Sequence, residues 1–560
     1  MHRLQRLRRP AGRLLLAAAP RNGMGAQLRG GGALPGRGLA AAAEPSARSE
    51  TALGLLELIR GEGEAEASDQ GRVLSAAGGL ARVALDGPVS VGQTVSLEGA
   101  GGAVAPGLVL RFDRRGAVVA LLQGDRAPPP ATGTAVSLRR APLAVRELGE
   151  AHPGEVAFHA VDELLSEAQD GAAGVLRLPS PPAPPRRRRV TRHLASGLAA
   201  VEALLPFGEG HRIGLVGPPD TGKTRSAQML LTSQGAGTAC VYAALKPLPL
   251  LKSLLASSGA GGAAVTVVHA DPAKDTMGAQ YLVPLVAMRL AARLRATHRH
   301  VLLVLDDLGA FAEAARGLGT PPFRASQVLA AALDAAGSVV EEGGEEGALS
   351  VAAVLDLSPE EELVPELREL WRGAEPSIDV CVNFTARMAA EGVLPAIDAE
   401  QLLACTPAPC YQAPLLRVLR AELLSRLGQE RDLRERLDLS KGLGLHVEPQ
   451  DAEEMGSARV ARALLVAHTV PRQPADLAVL LCAALVYHFP PRQPPPTRTA
   501  VTRFQSEVPA AVRALRPELW ESLQKPEALG EAEAAKTIRS LGELLLSIRW
   551  NFELTRPEPY

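Results

Sequence analysis

Apolar and polar positions alternate along this chain in three successive regimes. From residue 71 to about 140, short apolar runs recur, separated by glycine-containing turns: "GRVLSAAGGLARVAL", "VSVGQTVSL", "GLVLRF", "GAVVALLQG" and "GTAVSLRR". Strands this short, at this spacing, predict a small closed β-barrel, here assigned to residues 66–142. From Ile213 to about Cys410 the runs "RIGLVG", "ACVYAAL", "AVTVVHA", "HVLLVLDD" and "LSVAAVLDL" are apolar throughout and alternate with helical stretches. Strands buried on both faces read this way, so a parallel sheet with flanking helices is expected over 143–412. Beyond Ala413, "LLRVLRAELLSRLGQERDLRERLDL", "SARVARALLVAH", "ADLAVLLCAALVYHF" and "LGEAEAAKTIRSLGELLLSIRWNFEL" carry helical periodicity, which predicts a C-terminal helical domain over 413–560. The fold class expected is thus multidomain α/β, with an N-terminal β-barrel, a central parallel-sheet α/β domain and a C-terminal α-helical bundle.

The flanking and linking segments read differently. Glu50 to Arg60 has the pattern of a short amphipathic helix, and with the acidic stretch after it forms a separate segment, 50–65. Met1 to Ala43 contains no acidic residue and is punctuated by Arg3, Arg6, Arg8, Arg9, Arg13, Arg21, Arg29 and Arg37. That is the composition of a mitochondrial or plastid transit peptide, read here as mitochondrial, with a disordered basic tail as the other reading. The connector "LPSPPAPPRRRRVTRH" is stiffened by proline and reads as a solvated or partner-facing linker.

Composition narrows the function. Of 560 residues 46% are apolar, enough for several packed interiors, and the formal net charge of −1 offers no broad attraction for nucleic acid or anionic lipid. Cys240, Cys381, Cys405, Cys410 and Cys482 include no C-x-x-C pair, which argues against a disulfide framework or a zinc site and suits a reducing compartment. No apolar run approaches the roughly 18 residues needed to span a bilayer.

Candidate chemistry centres on "GPPDTGKT", with Gly217, Pro218, Pro219, Asp220, Thr221, Gly222, Lys223 and Thr224 in the spacing of a phosphate-binding P-loop. The strand "RIGLVG" precedes it and the helix "TRSAQMLL" follows, so backbone N–H groups and the helix dipole face the phosphates. Lys223 is expected to reach the β- and γ-phosphates of ATP or ADP, and the Thr224 hydroxyl to ligate Mg2+. "VLLVLDDLG" ends a strand in Asp306 and Asp307; Asp306 is expected to order the metal and Asp307 can cap the next helix.

The longer stretch "SGLAAVEALLPFGEGHRIGLVGPPDTGKT" closely resembles the approach to the P-loop in the alpha and beta subunits of the rotary proton-translocating ATP synthase, alpha more than beta. "GRVLSAAGGLARVAL", "ACVYAALK", "AQYLVP", "VLLVLDDLGAFAEAAR" and "GVLPAID" resemble further family segments in the family's order, from about Glu50 to Leu485. The resemblance implies a RecA-like nucleotide domain, with Pro395 of "GVLPAID" beside the nucleotide. It also implies an alternating ring with beta-type subunits around a central shaft, peripheral to the mitochondrial inner membrane on its matrix side. Alpha-type subunits bind Mg-ATP without turnover and lend an arginine to the neighbouring catalytic site.

Departures from the family's pattern qualify that expectation. Pro219 and Asp220 replace Arg-Gln, so a carboxylate stands near the phosphates. Pro247 replaces the alpha-type Gln or the catalytic beta-type Glu, leaving no carboxylate there to activate water. Leu394 stands where an arginine is usual, and Cys405 at the position of the arginine finger, with Arg387 and Arg417 the nearest arginines in sequence. The resemblance therefore implies a divergent alpha-type subunit that binds nucleotide without hydrolysing it. An accessory or assembly paralogue and a freestanding RecA-like ATPase are the alternatives; a shortage of aromatics, 3% overall, argues against an RNA-binding barrel.

Overall fold

The computed structural model describes residues 70–98, 104–122, 130–139, 143–146, 148, 152–167, 187–258, 262–340, 346–357, 365–390, 394–397, 412–443, 465, 473–487 and 498–548. The expected leader at 1–43, the segment 50–65, Cys405, Cys410 and all of "SARVARALLVAH" except Leu465 lie outside them.

Strands β1 (Gln70–Ala77), β2 (Leu80–Leu85), β3 (Thr94–Glu98), β4 (Val104–Asp113), β5 (Gly116–Leu121) and β6 (Ala135–Leu138) close into a barrel in the order β1-β2-β5-β4-β3-β6, all five expected runs among them. The first hairpin turns through Gly78 and Gly79, whose φ values of 59° and 78° lie in the left-handed region that favours glycine. Alternate residues point inward, so Val73, Val83, Val95, Leu97, Val109, Val119 and Val136 fill the barrel.

Two short pairs follow: β7 (Leu143–Val145) with β9 (Leu165–Glu167), and β10 (His193–Leu194) with β11 (Phe207–Gly208). The central sheet is built from β8 (Val156–Ala160), β12 (Arg212–Gly217), β13 (Thr238–Ala244), β14 (Ala264–His269), β15 (His300–Asp306), β17 (Glu346–Asp356) and β18 (Val380–Asn383). Their order is β18-β12-β17-β15-β13-β14-β8, every pair parallel, with β16 (Gly337–Val340) added antiparallel to β17. Helices α1 (Ala199–Leu204), α2 (Lys223–Thr232), α3 (Leu248–Ser258), α4 (Met277–Leu294), α5 (Leu308–Gly317), α6 (Pro322–Asp334) and α7 (Pro365–Ala374) intervene between the strands, and α8 (Ala386–Ala390) follows the last of them. The period of two splits each strand between two cores: Cys240, Tyr242 and Ala244 face one, Ala239, Val241 and Ala243 the other.

The barrel meets this domain at the start of α4. Thr276 caps that helix by accepting from the Ala279 N–H at 3.3 Å and donates to the Leu121 carbonyl at 2.6 Å. Gly278 lies so close that a Cβ there would sit 2.5 Å from the same carbonyl oxygen. On the C-terminal side α9 (Pro414–Leu443), α10 (Pro474–Val486), α11 (Arg498–Leu515), α12 (Pro517–Gln524) and α13 (Glu531–Ile548) form the helical domain. Leu415, Leu419, Leu480, Phe504 and Leu541 belong to the same apolar cluster as Tyr242, Val304 and Val354 of the sheet. Among the described residues no helix is long and apolar enough to cross a membrane.

One linker segment differs from expectation. Arg187, the second of the four arginines at 186–189, docks on the domain's own surface, donating to the Leu333 and Asp334 carbonyls at 3.3 and 3.1 Å, while Arg188 N–H bonds the Ser338 carbonyl at 2.9 Å. The chain is tied there because the end of α6 leaves carbonyls without helical partners, which a guanidinium can satisfy.

Candidate functional site

The P-loop begins where β12 ends. Gly217 pairs in register with Asp356 of β17, and its Cα lies against residue 384, so that a Cβ would come within 2.4 Å of the Phe384 carbonyl oxygen. Gly217→Ala forces backbone against backbone, and an equilibrium urea titration is expected to show a loss of about 1–3 kcal/mol. Asp220 turns the loop at φ 59°, a conformation that Asp tolerates better than most residues, and its side chain is exposed. Gly222, at φ 91°, is the residue before α2 and packs on Pro395, whose Cα would lie 3.2 Å from an added Cβ. The Ala396 N–H donates to the Thr221 carbonyl at 3.0 Å. The segment at 394–397 therefore buttresses the loop, and Pro395 stands beside it.

Inside the loop Thr221 Oγ1 donates to the Pro218 carbonyl at 2.8 Å, and Lys223 Nζ donates to the same carbonyl. Lys223 is only 4% exposed and pairs with Asp356 Oδ1 at 2.7 Å. A cation enclosed in this way is held ready for an anion while Asp356, 39% exposed, keeps access to water. Strand order places the other groups. The β13–β15 register sets Ala244 opposite Asp306, and both strands end at the loop, which is where an open parallel sheet gathers ligands.

Asp306 is buried and fully engaged. Its Oδ1 accepts from Thr224 Oγ1 at 3.1 Å, and its Oδ2 from Tyr242 Oη at 2.5 Å and Lys246 Nζ at 2.6 Å. Lys246 Nζ also donates to Thr224 Oγ1 at 3.1 Å. Burial, with the Asp306 carboxylate beside it, holds the Tyr242 phenol well above its usual range, so it stays a donor. Asp307 caps α5, accepting the Gly309 N–H at 2.6 Å. Burial pushes its carboxyl up to about 6 against that hydrogen bond, and Asp356 and Asp306 add to the rise.

Of the residues the sequence singles out, Asp306 meets the loop through Thr224, while Asp307 turns to cap the next helix. Reading the sequence missed Tyr242, Lys246 and Asp356. Asp356 ends its apolar strand, Lys246 lies two residues past the end of β13 and Tyr242 two residues before it, and this nearness to strand ends was the available signal.

The donor set bears on the metal expected at such a loop. Thr224 and Asp306 provide oxygens of the right chemistry. The ammonium of Lys246, however, lies within hydrogen-bonding distance of both. Mg2+ demands near-octahedral oxygen ligands at about 2.0–2.1 Å, whereas an ammonium has donors and no lone pair to give. As the side chains stand, these residues do not fit the metal.

Residues 197–327 match the family model described as ATP synthase alpha/beta family, nucleotide-binding domain. The matched span runs from the approach to α1 through the P-loop and the end of β15 into α6. Loop, sheet order and this match agree on a nucleotide-binding domain.

Proposed function

We propose that this chain is an alpha-type subunit of the catalytic head of a mitochondrial proton-translocating ATP synthase, binding ATP or ADP without hydrolysing it. The observation that carries the reading is that the described carboxylates at the strand ends are already engaged: Asp306 holds Thr224, Tyr242 and Lys246, Asp307 caps a helix, and Asp356 holds Lys223. Pro247 stands where an activating carboxylate would be needed, so that position offers water no base. Mg2+ is the usual companion of nucleotide at such a loop, but here the ammonium of Lys246 already holds both Thr224 and Asp306.

Beta-type subunits in an alternating ring are the partners this reading calls for. The acid-free segment 1–43 supports import to the matrix side of the inner membrane. Cys405, which lacks the hydrogen-bond donors of a guanidinium, makes any catalytic site completed by this subunit slow. The test joins two measurements on the full chain. Affinity purification from mitochondria is expected to recover it in equal amounts with a beta-type subunit, and the isolated chain to bind ATP without releasing phosphate. Phosphate release that disappears in Lys223→Ala would refute the non-hydrolysing role. Recovery far below equal amounts would instead select an accessory or assembly protein, a reading that the Lys246–Asp306 contact favours because it lies in the usual place of the metal.

A further inference from the structure

Lys246 enters the proposed function only as a partner of Asp306 and Thr224, and its own ammonium has been given no role toward the ligand. Its Nζ sits 2.6 Å from Asp306 Oδ2 and 3.1 Å from Thr224 Oγ1, and these two partners lie on separate elements, the end of β15 and the first turn of α2. The Thr224 hydroxyl gives its proton to Asp306 and offers its lone pair to Lys246. That lone pair is the one a metal would take. Asp306 likewise spends both oxygens, with Tyr242 as the third donor. The lysine side chain is one-fifth exposed, so its ammonium is not sealed off by its two partners.

We propose that Lys246 is a tethered cation standing in for the divalent metal, so that this site takes nucleoside triphosphate in its metal-free form. The proposal rests on the nucleotide-binding reading and specifies the form of the ligand. Two physical requirements are met. The carboxylate of Asp306 would repel phosphate if left unpaired, and the ammonium neutralises it at contact distance. The remaining donors of the ammonium, with Lys223 across the loop, give the polyphosphate two cations without any ion recruited from solution. A Mg2+ brought in with the nucleotide would meet a like charge at its ligand positions and would have to displace it.

The test is calorimetric titration of ATP into the full chain, once with Mg2+ and once with EDTA, for the wild type and for Lys246→Ala. The wild type is expected to bind with Kd values within about twofold of each other in the two buffers. Lys246→Ala is expected to lose about tenfold or more in EDTA and to recover in Mg2+, because Thr224 and Asp306 are then open to the metal. Lys246→Met, which keeps the apolar stem, guards against a packing defect, and it should follow Lys246→Ala. A wild type that binds in Mg2+ but weakens about tenfold or more in EDTA overturns the proposal and leaves nucleotide binding standing. Equal metal dependence in wild type and Lys246→Ala overturns it as well. Absence of binding in both buffers refutes the nucleotide reading, and this proposal falls with it. Should neither variant fold, the wild-type comparison between the two buffers decides alone.

Discussion

Lys223→Ala is expected to remove the nucleotide-dependent part of the chain's thermal stability while leaving the fold in place. A ligand that binds only the folded state adds RT ln(1 + [L]/Kd), about 2.7 kcal/mol at a hundredfold excess over Kd. Lys223 is the enclosed cation of the loop, joined to Asp356 at 2.7 Å and donating to the Pro218 carbonyl. On binding, that ammonium exchanges a half-exposed carboxylate for phosphate oxygens, an interaction alanine cannot make. The variant also strands Asp356, so the absolute melting temperature can move for reasons unrelated to ligand. The quantity to measure is the increment between nucleotide-free and nucleotide-saturated samples by differential scanning calorimetry. Retention of the wild-type increment would show that nucleotide binds elsewhere.

A second large effect is expected at a buried ion pair just ahead of the loop. His193 Nε2 lies 2.7 Å from Glu202 Oε2, and Ser196 donates through Oγ to Glu202 Oε1 at 2.7 Å. Glu202 is 5% exposed on α1, the helix that precedes the strand leading into the loop. Removing one partner of a buried pair strands the other, so Glu202→Ala is expected to cost about 3–5 kcal/mol in a denaturant titration. Burial pulls His193 down, but the Glu202 carboxylate, helped by Glu527 and Glu209, outweighs it and leaves the imidazole raised. Burial likewise pushes Glu202 up, and His193 with the Ser196 donors reverses it to leave the carboxyl lowered.

The signs set the pH window. A raised His contributes stability that is complete below its ordinary value of 6.5 and is lost as pH climbs through its folded value. A lowered Glu contributes above its ordinary 4.5 and loses that as pH drops through its folded value. The stability difference between wild type and Glu202→Gln should therefore be greatest between those two values and shrink on either side. A difference that stays flat from acid to alkaline pH would mean that packing, and not the charge pair, sets the cost.

The barrel and most of the sheet were legible because each strand announces its own burial. "HVLLVLDD" needs no neighbour to be read as a strand covered on both faces, and the Gly78-Gly79 turn marks its hairpin locally. Strand β8, "VAFHA", escaped notice: it lies at the sheet's edge, half-buried throughout, with a histidine in the run. The loop itself is local in sequence and so was plain. Lys246, Tyr242 and Asp356 were not, because their meeting with the loop depends on which strand lies beside which. Thr224 and Asp306 touch across 82 residues, a contact fixed by strand order that no local spacing encodes. Pro395 was placed by resemblance alone, and the close packing against Gly222 supplies its physical reason.

Architecture counts three parts in this chain, but its apolar interior joins two of them. The cluster that holds Tyr242, Val304 and Val354 continues without a break into Leu415, Leu480, Phe504 and Leu541, while the barrel keeps an interior of its own. The junction near residue 413 is therefore a change of secondary structure and not a seam. Separating the helices from the sheet would expose the wall on which Tyr242 stands, and with it the support of Asp306. A ligand bound at the loop would consequently stabilise the C-terminal helices together with the sheet, and those helices would report its binding by slower amide exchange.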